Sequence, residues 1–171
     1  MAMPPANVLT LAALLAGTCT AAAIDLRVRR VPNWLTGSLA ATGLLLAGTG
    51  LGELSMQGAW LGGVLGLLLM LPGYLLGGTG AGDVKLLAAT GMLLGPTATL
   101  WAFVFTLMAG GAIALAVAAV RGRLWLTLLN SAQLVTTRGG SASLIERSGS
   151  ANRFAYAPAV AVGVMAAALF V

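Results

Sequence analysis

Gly77-Gly78-Thr79-Gly80-Ala81-Gly82-Asp83-Val84-Lys85 joins two apolar segments and ends in an acid, a valine and a lysine. A carboxylate at the edge of an apolar run is costly to keep there and marks a functional suspect. The competing account is a flexible turn between membrane helices, with Asp83 and Lys85 as solvated punctuation, because glycine admits turns of many kinds. A second acid, Asp25, closes the first apolar segment in a similar setting. Glu53 and Glu146 are the only other acids in the chain.

Of the 171 residues, 59% are hydrophobic and 8% charged, whereas a soluble domain has about 45–50% apolar and about 25% charged residues. That is the composition of an integral membrane protein. The length suits an all-α, polytopic fold: one domain over residues 1–171, built as a bundle of six transmembrane helices and solvated by lipid. The net charge of +5 does not point to nucleic acid, because the basic residues sit in short loops beside apolar spans, where they report on topology.

Histidine is absent and Cys19 is the single cysteine. Histidine-based acid–base chemistry, the usual zinc sites and an intramolecular disulfide are thereby excluded, and no cofactor or metal is expected. Cys19 reads as a small buried residue of a helix. Ala21-Ala22-Ala23 resembles a signal cleavage site and Leu15-Ala16-Gly17-Thr18-Cys19 a lipoprotein signal. No Lys or Arg precedes Arg27, however, and a signal peptide needs a basic leading region. Residues 6–24 therefore read as a retained first span, which Asp25 closes.

The loop Asp25–Asn33 carries Arg27, Arg29 and Arg30. Pro32 disfavours helix at Val31, and Asn33 can cap a second span from Trp34 to about Leu51. Glu53 falls in a solvated turn. Span three, about Gly58 to Leu76, holds Gly62, Gly63, Gly66 and Gly73; small residues let helices approach closely in lipid, so it is expected inside the bundle. Pro72 should weaken its last turn. The run Val84–Leu94 is only about 17 Å long as a helix, short of a span, which leaves Asp83 at or below the interface. Span five runs from about Thr97 to Val120. Residues 121–153 form a polar loop, in which Leu124, Leu128, Ala132 and Val135 share one face of a short surface helix. Phe154 to Val171 is the sixth span, with Pro158 near its first turn.

All nine basic residues fall after spans one, three and five: Arg27, Arg29 and Arg30, then Lys85, then Arg121, Arg123, Arg138, Arg147 and Arg153. Those loops are therefore cytoplasmic and both termini lie outside. Asp25 and Asp83 share a membrane face.

Three roles compete for the two acids. The first reads them as local partners of Arg29 and Lys85, which contribute little; the second as steps of a proton or ion pathway in a small transporter; the third as an aspartyl protease dyad that shares one proton. A serine–lysine protease is disfavoured, because Lys85 stands two residues from an acid that keeps it charged.

Gly80-Ala81-Gly82-Asp83, followed by Val84-Lys85-Leu86-Leu87-Ala88-Ala89 and then Gly91 and Gly95, closely resembles the GxGD region of the type IV prepilin peptidases. Asp25 followed by Arg29-Arg30-Val31-Pro32-Asn33-Trp34-Leu35-Thr36 looks like that family's other active-site segment. Tyr156-Ala157-Pro158-Ala159-Val160-Ala161-Val162-Gly163 is similar to the segment that opens its last helix. The resemblance implies an inner-membrane aspartyl endopeptidase that removes the basic leader from type IV pilin or pseudopilin precursors at the cytoplasmic face. Asp25 and Asp83 match the catalytic pair. Gly80 and Gly82 would free the backbone for substrate approach, and Lys85 matches a motif position without a chemical role. The partners implied are a prepilin, with its leader and N-terminal hydrophobic helix, and membrane lipid.

Long members of that family carry paired CxxC motifs and also N-methylate the product. Here the first loop is under ten residues and carries no cysteine, so methyl transfer is expected to be absent. The short length is similar to the tight-adherence (Flp) peptidases or the archaeal preflagellin peptidases, and both remain open, as does the oligomeric state. Glu53 and Glu146 read as surface residues.

Overall fold

A computed structural model describes residues 8–120 and 156–170. The surface helix expected near Leu124–Val135, the rest of the polar loop 121–153 and Glu146 lie outside the described residues.

The described chain is helical throughout: α1 (Val8–Val28), α2 (Asn33–Thr49), α3 (Met56–Leu75), α4 (Ala81–Val120) and, after the polar segment, α5 (Ala157–Phe170). Three of these, Val8–Val28, Met56–Leu75 and Ala81–Val117, are long and apolar enough to cross a membrane; α5 is a shorter apolar helix. As one straight rod Ala81–Val117 would be about 55 Å long, nearly twice a hydrocarbon core. It is not one rod. Gly95 (φ 76°, ψ 174°) breaks the helical path, so a leading half of about 21 Å carries Asp83 and a longer half follows. A side chain rarely adopts that backbone conformation, which gives this glycine its reason.

The helix ends follow local chemistry. α1 runs a turn past the expected end, because nothing stops it before Arg29, whose left-handed φ of 54° turns the chain. Asp25 therefore lies inside the last turn of α1 rather than beyond it. Asn33 is not the cap of α2 but its first helical residue; the cap position is Pro32 in an extended conformation. Ser55 caps α3 by accepting from the Gly58 N–H at 3.1 Å. After α3, Gly77 (φ 74°) takes the left-handed position that closes a helix, and the Gly78 N–H donates to the Gly73 carbonyl at 2.9 Å.

Packing is carried by small residues. Lipid supplies no hydrophobic drive between helices, so close backbone approach substitutes for it. Gly62, Gly63 and Gly66 of α3 lie against Leu87, Ala88, Gly91 and Met92 of α4, and a Cβ on Gly66 would sit 2.6 Å from the Leu87 carbonyl oxygen. Gly17 of α1 faces Leu39 of α2, Gly43 faces Met92, and Gly163 of α5 faces Ala102 and Thr106. The expectation that α3 is enclosed by the bundle is corrected: its glycines meet α4, but Trp60, Leu61, Val64 and Leu68 are exposed on its other side. Cys19 is likewise exposed rather than buried. The buried hydroxyls of Thr90 and Thr99 bond back along their own helix, to the Leu86 carbonyl at 3.0 Å and the Gly95 carbonyl at 2.6 Å. The Thr99 bond covers a carbonyl at the break in α4.

Candidate active site

Asp83 is the third residue of α4. From there its Oδ2 reaches back to accept from the Gly80 N–H at 3.2 Å, the acidic half of a capping box that satisfies a donor the helix leaves open. Only 7% of Asp83 is exposed, and 6% of Asp25.

The start of α4 is pressed onto the loop that leaves α1. A Cβ on Gly82 would lie 3.0 Å from the Val31 Cβ. Gly82 thus owes its missing side chain to contact with the loop beside Asp25, a use of this glycine that the sequence does not reveal. Lys85, in the same turn as Asp83, donates from Nζ to Asn33 Oδ1 at 3.0 Å, so it ties α4 to the head of α2 and does not pair with an acid.

The Asp25 carboxylate is held from a third direction. Its Oδ2 accepts the N–H of Ala157, the first residue of α5, at 3.2 Å in a buried position. α5 packs against both α1 and α4, and Tyr156 and Ala157 meet the acids there. Asp25 and Asp83 are close enough for their negative charges to repel, and the charge of Asp83 also reaches Tyr156. Among the described residues each carboxylate accepts one hydrogen bond, from a main-chain N–H, and neither is bonded to an arginine or lysine.

Asp25, Asp83, Gly80 and Gly82 therefore gather at one end of the bundle, with Lys85 on its rim. Sequence reasoning missed the Ala157 N–H. The signal was Pro158, which belongs in a helix's first turn and so marks unpaired N–H groups just before it. Glu53 is exposed in the α2–α3 loop and stands apart. It lines a cavity of about 290 Å³ with Thr10, Leu46, Leu54, Met92 and Gly95 that includes neither aspartate.

Two buried carboxylates within reach of each other's charge cannot both ionise cheaply; with one of them protonated, such a pair offers one base and one acid, a combination suited to activating water while polarising a carbonyl. The fold and site define a class, an all-helical membrane protein with paired aspartates at one end of its bundle. The sequence profile of the type IV leader peptidase family matches residues 11–115, a span that contains both aspartates, and the chain belongs to that family. It is thereby a protease of the prepilin leader peptidase kind. No curated protein and no solved structure gave a match.

Proposed function

We propose that the protein is an aspartyl endopeptidase that cleaves the basic leader from type IV, Flp-like prepilins or pseudopilins at the cytoplasmic face of the inner membrane, with Asp25 and Asp83 as its catalytic pair. The observation that carries this is the pair of buried aspartates from separate helices, each fixed by one main-chain N–H and within reach of the other's charge.

The ionised carboxylate takes a proton from a water molecule as that water attacks the scissile carbonyl carbon. The protonated carboxylate donates to the carbonyl oxygen. Collapse of the tetrahedral intermediate transfers a proton to the leaving nitrogen and returns the pair to its shared-proton state. Gly80, which is exposed, keeps the backbone next to Asp83 narrow where an extended substrate would approach, while Gly82 lets α4 close onto Val31. Lys85 anchors α4 and takes no part in proton transfer.

The topology proposed with it has six spans, counting the two halves of α4 separately, and both termini outside. Its support is the confinement of all nine basic residues to alternate loops. Methyl transfer to the new N-terminus is not part of the function.

Co-expression with a candidate prepilin, read as a mobility shift, tests the proposal. Processing should occur with the wild-type chain and be lost in Asp25→Asn and Asp83→Asn while both variants still accumulate in the membrane. Near wild-type cleavage by either variant would rule out the dyad.

A further inference from the structure

The peptide group between Tyr156 and Ala157 is committed on both sides. Its carbonyl accepts the N–H groups of Ala159 and Val160 at 3.0 and 3.2 Å, which starts α5. Pro158 has no N–H to offer. The Ala157 N–H thus turns away from the helix, and it is the donor to Asp25 at 3.2 Å.

The side chain next to that peptide, Tyr156, is itself seated against α4. Its ring lies on Gly110, in the second half of α4: a Cβ added there would stand 2.7 Å from Cε2, 2.9 Å from Cζ and 2.8 Å from the hydroxyl oxygen. Gly110 is buried, whereas the next residue, Gly111, is exposed and a Cβ there would meet nothing within 4 Å. No hydrogen bond to the Tyr156 hydroxyl occurs among the described residues; the ring edge and the hydroxyl oxygen make the contact by packing alone.

We propose that Tyr156 is a positioning residue for cleavage, a role that rests on the peptidase reading above: its ring, seated in the notch at Gly110, fixes the Tyr156–Ala157 peptide so that the Ala157 N–H holds the Asp25 carboxylate in place beside Asp83. Asp25 then depends on a segment of chain far from its own helix. Neither Tyr156 nor Gly110 touches the substrate in this scheme; both act through one main-chain donor.

Gly110→Ala is the decisive variant, with Gly111→Ala as its control. Both put a better helix former into the same helix, but only the first displaces the ring. In a purified prepilin-cleavage assay, Gly110→Ala and Tyr156→Ala should lower kcat about ten- to a hundredfold, the range expected for losing one hydrogen bond to a charged group, with KM changed less than about twofold. Tyr156→Phe, which restores the ring, should recover most of the activity lost in Tyr156→Ala. A second readout needs no substrate: labelling of Asp25 by a hydrophobic carbodiimide, quantified by mass spectrometry against Asp83, should rise in Gly110→Ala and Tyr156→Ala only. If the wild-type chain cleaves no prepilin, the peptidase reading fails, and unchanged Asp25 labelling separately overturns the clamp. Gly110→Ala behaving like Gly111→Ala, or Tyr156→Phe failing as badly as Tyr156→Ala, overturns it too.

Discussion

Val31 seals the face of Gly82: a Cβ there would lie 3.0 Å from the Val31 Cβ and 3.3 Å from its backbone nitrogen. Gly82→Val therefore forces α4 away from the loop next to Asp25. A displacement of about 1 Å in a catalytic group can lower a rate about a hundredfold, and a loss of that size is expected in processing assays. Gly82→Ala should cost less, and Val31→Gly in the same chain, which removes the nearest atom, should restore part of it. Full activity in Gly82→Val would remove the need for this contact.

Lys85 spans to Asn33 at 3.0 Å in an exposed position. Exposed polar contacts contribute little, so Lys85→Met should lower cleavage by less than about fivefold. A complete loss in steady-state kinetics would give Lys85 a chemical role that its geometry does not.

Because Asp25 and Asp83 are both buried and their charges interact, activity should follow a bell-shaped pH profile whose two limbs belong to the pair. The acid limb reports protonation of the charged member, and the alkaline limb reports loss of the shared proton. Glu53→Gln, at the exposed loop, should leave the profile unmoved. A single-limbed profile would argue for one working carboxylate.

Reporter fusions after Gly50 and after Val171 should score as external, and fusions near Gly140 as cytoplasmic. A cytoplasmic C-terminus would separate the proposed active site from its assigned face.

Gly95 has φ 76° and ψ 174°, with Leu54 packed where a side chain would go. Gly95→Ala should destabilise the protein by about 1–3 kcal/mol, read as a lower unfolding temperature in detergent. Leu54→Ala should relieve only the packing share.

The helices are legible because the apolar stretches are punctuated at Pro32, Gly50, Gly77 and Gly95, residues whose backbone preferences survive in any context. The two aspartates were legible because acids are scarce in an apolar chain. Other features left no such mark. An apolar helix that is uniform around its circumference does not announce which side meets lipid, so the sequence alone puts Cys19 in the interior and α3 in the middle of the bundle. It also puts Asp25 past the end of α1, yet one more turn forms before Arg29. The donor to Asp25 is a backbone group, and a backbone group has no letter in a sequence.

The Ala157 N–H is made 132 residues after the aspartate it steadies. At about 5–20 residues per second, synthesis of the intervening chain takes on the order of ten seconds. Throughout that interval α1 waits with its carboxylate unclasped, and α4 joins it before the clasp exists. A translation product abandoned between α4 and α5 carries both aspartates but lacks the donor to Asp25. On the proposed mechanism full activity awaits the last described helix to be translated, so chains truncated before it are expected to cleave at least about ten- to a hundredfold more slowly.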